Sequence, residues 1–291
     1  MKEQIIKLLP SSVVQTLQKF SLANKLRHDY KRLPFSIDDL PVSTMKSSYA
    51  ITKDKLSMPY LKTMEKLRSY YAAGPIGPNK FWEYPWILSN LELKPHLSIL
   101  DAGCGRAPLQ YFLAEMSMKM SGIDPNENVG WHGIDRRLAR KYGVDIDYRV
   151  EGMEKISYPD ESFDRVMSVS VIEHVRACHV KDELLTPQCE ADRLLQGKMM
   201  QEMARVLKKG GLLIITIDVM YPAEGIILEA NINVKNLIES SGLQLVGPEP
   251  EAGFYGYDNF DMQAILRDNE IDVQDYTGVK GTSLGLILRK P

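Results

Sequence analysis

Two acids and a pair of glycines carry the first chemical signal in this chain. Ser98-Ile99-Leu100 is a short apolar run ending in Asp101, and Gly103, Gly105 and Pro108 follow at once. Glycines let a backbone turn tightly and approach a ligand with no Cβ in the way. Proline is tolerated at the first position of a helix, where its missing N–H would lack a partner anyway. The segment therefore reads as strand, ligand-binding turn and helix start. A phosphate loop would need G-x-x-x-x-G-K-[ST], and no Lys-Ser/Thr follows these glycines. The dinucleotide pattern G-x-G-x-x-G would set its third glycine at Pro108, so it fails too. An acid at Asp101 would repel a pyrophosphate but suits a ligand carrying an ammonium group.

The second acid closes another apolar run, Gly122-Ile123-Asp124-Pro125, 23 residues after Asp101. An acid at the end of the second strand in such folds binds ribose hydroxyls, and Asp-Pro is also a common turn. His174, Cys178, His179 and Cys189 offer metal-type ligands. Their spacings match neither C-x-x-C nor H-E-x-x-H, so no metal is expected. No cysteine run fits an iron–sulfur cluster.

These residues need a sheet to carry them. From Leu97 onward, short apolar runs alternate with amphipathic stretches, the pattern of a mostly parallel sheet with crossover helices. Strands are expected at 98–102, 119–123, 145–150, 163–169, 212–217, 243–246 and 283–288. Helices are expected at 108–116, 136–142, 191–207 and 234–240, with Gly210-Gly211 capping the third and opening the next strand. The spacing thus predicts a doubly wound α/β fold on a seven-stranded sheet. Two insertions, 176–193 and 247–282, read as loops over the site. The second holds Tyr255, Gly256 and Tyr257; its alternative is packing against the N-terminal part.

Gly74–Pro78 holds two glycines and two prolines and cannot continue a helix, which divides the chain into a helical extension over 1–78, expected as a cap or lid over the acceptor cleft, and a main domain over 79–291. Residues 1–71 carry 13 Lys/Arg against 6 Asp/Glu, although the whole chain has a net charge of −2. That basic part is expected to be either a solvated helical face or a surface for an anionic substrate, carrier or lipid head group, with peripheral membrane contact. Charge alone is a weak argument for nucleic acid. No apolar run reaches the roughly 18 residues of a membrane span, and no secretory signal is recognisable. Three cysteines without regular spacing point to reduced thiols in a cytoplasmic protein.

Three segments in order resemble the class I S-adenosylmethionine-dependent methyltransferases. Asp101-Ala102-Gly103-Cys104-Gly105-Arg106-Ala107 is similar to that family's D-x-G-x-G-x-G, with Ala107 in place of the last glycine. Tyr158–Val166 followed by Ser168–Val175 resembles its central segment, and Met203–Ile214 its helix leading into the fifth strand. The resemblance implies a Rossmann-like fold, an enzyme and S-adenosyl-L-methionine as cofactor. It places Asp101, Gly103, Cys104, Gly105 and Arg106 at the methionyl group, Asp124 and Pro125 at the ribose, and Met153 and Glu154 beside the adenine. Where many relatives carry an acid this chain has Gly152, for which Glu154 or the Met153 N–H would substitute. Ser170 would approach the methionyl end.

Methyl transfer to a hydroxyl is helped by a base, and His174, just past the fourth strand, is the candidate. Its alternative is a packing role. Tyr84 and Trp86 either wall the cleft or pack in the core. Trp131 and His132 either close over the cleft or form a surface loop, and Asp218 and Glu224 are candidates to face the acceptor. The expected acceptor is a small molecule, or a carrier- or glycan-linked metabolite, methylated at oxygen. Nitrogen, carbon, or cofactor binding without turnover are the alternatives. DNA is disfavoured because Ser170-Val171-Ile172-Glu173 stands where DNA amino-methylases carry Pro-Pro-Tyr/Trp, and no Pro-Cys nucleophile exists.

Overall fold

The computed structural model describes residues 34–70, 76–126, 136–175, 190–221, 232–254, 259–276 and 279–291. Its strands are β1 (Ser48–Tyr49), β2 (Ser98–Ala102), β3 (Lys119–Ile123), β4 (Ile146–Arg149), β5 (Phe163–Val169), β6 (Leu207–Tyr221), β7 (Gln244–Leu245), β8 (Gln274–Tyr276) and β9 (Val279–Arg289). Its helices are α1 (Thr52–Lys55), α2 (Met58–Arg68), α3 (Lys80–Asn90), α4 (Pro108–Glu115), α5 (Arg136–Tyr142), α6 (Glu190–Val206), α7 (Val234–Ser241) and α8 (Met262–Arg267). All the strands join one sheet, in the order β1-β9-β6-β5-β2-β3-β4, with β7 and β8 also paired to β9.

From β4 through β6 every pairing is parallel, and β9 runs antiparallel to β6. Neighbouring β2 residues face opposite layers, as strand geometry requires. Leu100 joins Val166, Leu213, Leu286 and the α6 methionines Met199, Met200 and Met203. Ile99 joins Met167, Ile214, Ile287 and the side chains of α2, α3 and α4. The result is helices on both faces of the sheet. Chain order reverses between β2 and β5: β3 and β4 lie to one side of β2, β5 and β6 to the other. Ligands of open α/β sheets bind at the carboxyl ends of the strands at such a switch.

The structure departs from the sequence-based expectations in two places and decides between two alternatives at a third. The long helix stops at Val206, not at the glycines, and Leu207 already pairs with Phe163. The next pair is Arg165 with Leu212, so residues 208–211 bulge out of the ladder, and Gly210 takes φ +73° there. Its glycine serves a bulge rather than a helix cap.

The second departure is at the sheet edge, where two strands go beyond the seven expected. Three short strands from distant parts of the chain lie end to end along β9. They are β8 opposite 279–281, β1 opposite 284–285 and β7 opposite 288–289. They use up backbone groups that an open edge would leave exposed.

The third concerns the 247–282 insertion. Its described residues pack on the N-terminal part: the Tyr49 hydroxyl donates to Gly253 O, the Asp272 N–H to Ala50 O and the Thr52 N–H to Glu270 O. Phe254 and Ile265 are fully buried. None of its described residues lines the main cleft. Tyr255, Gly256 and Tyr257 lie outside the described residues, as do 1–33 and most of the 176–193 insertion. Among the described residues no helix is long and apolar enough to cross a membrane.

Candidate active site

A cleft of about 970 Å³ opens at the carboxyl ends of β2, β3 and β5. Twelve of the residues singled out from sequence line it: Tyr84, Asp101, Gly103, Cys104, Gly105, Arg106, Asp124, Pro125, Met153, Glu154, Ser170 and His174.

The glycine loop is built by short-range bonds. Gly103 and Gly105 take φ of +74° and +46°. The N–H groups of Gly103 and Cys104 both donate to Ile123 O, at 2.9 and 3.0 Å, so the loop is stapled to the end of β3. The Gly105 N–H donates to Asp124 Oδ2 at 3.0 Å, and the Asn126 N–H to Asp124 Oδ1 at 2.9 Å. A Cβ on Gly103 would collide with the isopropyl group of Val171, which packs flat on the loop.

Asp101 lies below this loop, buried, with Gln110 Nε2 donating to its Oδ2 at 3.0 Å. Burial pushes its carboxyl up to about 7; the Gln110 bond opposes the shift and the Asp124 charge adds to it. Burial and the charges of Asp101 and Asp124 also push the Cys104 thiol up, which leaves it neutral and a poor nucleophile. The Tyr84 phenol is raised too, by burial first and then by Glu83 and Asp101.

On the adenine side proposed by resemblance, Gly152, Met153 and Glu154 all line the cleft. A Cβ on Gly152 would collide with the Glu154 carboxylate. The Glu154 carboxylate thus occupies the space that a side chain at 152 would take.

His174 closes the 3-10 turn Ile172–His174 and is exposed to the cleft. Behind it, Glu173 is fully buried; its Oε1 accepts the Asp218 N–H at 3.0 Å, while Oε2 finds no hydrogen-bond partner among the described residues. Burial, then the charge of Asp218, pushes Glu173 up to about 8. Ligand-type atoms of Glu173, His174 and Asp218 lie within 4.8 Å of one another. Cys178, His179 and Cys189, weighed with His174 from sequence, lie outside the described residues.

Trp86 takes the packing alternative and the placing of Asp218 is corrected. Trp86 stays out of the cleft: it stacks on Trp82 at 5.1 Å, and a Cβ on Gly285 would collide with its ring. Asp218 lies behind the wall, accepting from Asn79 Nδ2 at 3.1 Å and Ser283 Oγ at 3.2 Å. Trp131, His132 and Glu224 lie outside the described residues. Sequence reasoning missed Lys80 on α3, the buried Glu83 behind the cleft wall, and the apolar lining of Ile76, Val171, Val175, Leu195 and Met199. Glu83 stands between Trp82 and Tyr84, in a run whose spacing reads as aromatic packing.

Residues 100–215 match the methyltransferase domain family. A ubiquinone biosynthesis O-methyltransferase of Rhizobium etli is 28% identical over 188 residues, 63% of each chain. One of Agrobacterium fabrum is 40% identical over 80 residues, 27% of this chain and 31% of that one. The chain therefore spans less than two thirds of the length of these curated relatives. Among solved structures, a SAM-dependent methyltransferase of Aquifex aeolicus aligns with a TM-score of 0.43 and 16% identity over 69% of this chain and 86% of that one. A phosphoethanolamine N-methyltransferase of Haemonchus contortus in complex with S-adenosyl-L-methionine aligns with a TM-score of 0.42 and 17% identity over 70% and 51%. The matched domain, the ordered motifs and the doubly wound sheet together support a class I SAM-dependent methyltransferase, a family whose cofactor is S-adenosyl-L-methionine.

Proposed function

We propose that the chain transfers the methyl group of S-adenosyl-L-methionine to an oxygen of a small-molecule, carrier-linked or glycan-linked acceptor. The observation that carries this reading is the convergence of the glycine loop, two buried acids and a histidine in one cleft. Similarity to relatives named O-methyltransferases of ubiquinone biosynthesis favours oxygen over nitrogen or carbon.

The donor set fits the cofactor. Gly103, Cys104, Gly105 and Arg106 would hold its methionyl end together with Asp101, which an ammonium group keeps ionised against its burial. Each Asp124 oxygen accepts one backbone N–H and keeps a lone pair for a ribose hydroxyl, with Pro125 beside it. Met153 and Glu154 would border the adenine, and Tyr84 and Ser170 would close the methionyl end. When bound, the cofactor supplies an electrophilic methyl group on a sulfonium.

The chain's own contribution is orientation, exclusion of water and one proton transfer. Ile76, Val171, Val175, Leu195 and Met199 make a dry wall beside His174. His174 accepts the proton of the acceptor hydroxyl. Cys104 and Tyr84, both held neutral, do not compete as nucleophiles.

Calorimetry with S-adenosyl-L-methionine tests the reading, and absence of binding ends it. If the cofactor binds, incubation with a panel of hydroxyl, amine and carbon acceptors follows, read by mass spectrometry. Gain of one methylene on a hydroxyl is expected. Gain on nitrogen or carbon would overturn the choice of oxygen, and binding without transfer to any acceptor would overturn turnover.

A further inference from the structure

Glu83 takes no part in the chemistry above, yet it is among the most constrained side chains of the site. It sits on α3, fully buried, and its Oε1 accepts from Ser283 Oγ at 2.6 Å, Ser170 Oγ at 2.8 Å and Asn79 Nδ2 at 3.4 Å. Its Oε2 pairs with Lys80 Nζ. A buried carboxylate is costly unless it is paired and fully hydrogen-bonded, and this one is both. Packing α3 on the sheet needs no charge, since Trp82, Ile87 and Leu88 already supply an apolar face.

The geometry of Ser170 gives that charge a use. Ser170 ends β5 with φ +50°, a left-handed conformation uncommon for residues other than glycine. It is pinned twice: its N–H donates to Thr216 O at 3.0 Å, and its hydroxyl donates to Glu83. The next residue, Val171, packs on Gly103, and the turn 172–174 then presents His174 to the cleft. One conformation at 170 therefore seats the glycine loop on one side and aims the histidine on the other.

We propose that Glu83 is a positioning residue: through Oε1 it holds Ser170 in the left-handed turn that seats Val171 against Gly103 and orients the 172–174 turn. Its effect on cofactor affinity rests on the function proposed above; its effect on the β5 tip does not. Glu83→Gln keeps an oxygen for the two serine hydroxyls and gives up only the Lys80 pair. Glu83→Ala and Ser170→Ala remove the tether from either end. Ile87→Ala, on the same helix and also fully buried, weakens packing without touching the network.

The four variants are compared with the parent protein by hydrogen exchange at the amides of 170–174, without ligand, and by calorimetry with S-adenosyl-L-methionine. Glu83→Ala and Ser170→Ala should each raise exchange at these amides and weaken cofactor binding by about tenfold, the equivalent of roughly 1.4 kcal/mol. Glu83→Gln should stay within about twofold in both, the rescue expected if the acceptor oxygen matters rather than the charge. Ile87→Ala should lower the melting temperature alone. Unchanged exchange in both Glu83→Ala and Ser170→Ala would overturn the proposal, and so would an equal change in Ile87→Ala. Should Glu83→Ala not fold, Ser170→Ala against Glu83→Gln decides the matter. If the parent protein binds no cofactor while exchange follows the expected pattern, the functional reading falls and the positioning role stands.

Discussion

Two cavities of comparable size lie on this molecule, and they treat their polar groups in opposite ways. The cleft at the strand ends holds about 970 Å³, and a second cavity of about 740 Å³ lies between the N-terminal part, α3 and residues 248–271. In the second, Asn90 accepts from the Ser43 hydroxyl and the Met45 N–H and donates to Trp86 O. Ser47 Oγ accepts the Ile287 N–H, and the Tyr49 hydroxyl donates to Gly253 O. These groups tie chain segments together. In the first, Asp101 is a buried acid raised toward neutrality, and behind the wall Glu173 is another, whose Oε2 finds no hydrogen-bond partner among the described residues. Left-handed backbone gathers there as well, at Gly103, Gly105 and Ser170. Volume does not separate the two; unmet polar capacity does.

The contrast is broken most directly by exchanging the fates of two buried polar residues. Asp101→Ala should abolish cofactor binding in calorimetry, because it removes the acid facing the ammonium group. Asn90→Ala should leave binding unchanged and lower stability by about 1–3 kcal/mol in denaturant unfolding, the cost of buried partners left unsatisfied. Loss of cofactor binding in Asn90→Ala would erase the distinction. Next in size, His174→Ala should lower kcat by about 10²–10⁴, the usual weight of a general base, with cofactor affinity nearly unchanged. Parent-like kcat in that variant would leave His174 a packing role only.

The raised Asp101 carboxyl gives cofactor binding in the cleft a pH dependence. Its ordinary value is 3.8 and burial moves it to about 7, so near neutrality the empty cleft holds a proton there part of the time. An ammonium group favours the ionised form, so binding must expel that proton. Affinity therefore rises with pH through 7 and levels above it. Between pH 6 and 8 the gain should be about tenfold, and calorimetry in buffers of different ionisation enthalpy should register proton release. Asp101→Asn should remove the slope. Affinity that falls over this range would reverse the sign of the argument.

How much of this was legible in the sequence follows the range of the interactions. The strands 98–102, 119–123 and 163–169 were readable to the residue, because each is a buried apolar run bounded by a turn signal. The glycine loop was readable because its bonds reach no further than Asp124. β1, of two residues, left no local pattern, since it exists only through β9, more than two hundred residues away. Glu83 was hidden for the same reason: its partners Ser170 and Ser283 are distant in sequence, and nothing around Tyr84 or Trp82 announces them. The Lys208-Lys209-Gly210-Gly211 stretch misled because a glycine pair after a helix reads as a cap, whereas here the helix had already ended and the sheet register required a bulge.

The smallest effect tests the finest part of the comparison, whether a polar group facing the cleft is there for a ligand or for the fold. Glu154 folds its carboxylate into the space over Gly152, where a Cβ would collide with it. If that carboxylate serves the adenine side, Gly152→Ala evicts it and Glu154→Gln neutralises it, and each should weaken cofactor binding by about three- to tenfold. The double variant then tells the two roles apart. Changes acting through one carboxylate are not additive, so Gly152→Ala with Glu154→Gln should bind about as well as either single variant. Additive losses would mean that Gly152 matters for its own backbone, and that the acid beside it is a surface residue leaning on a convenient gap.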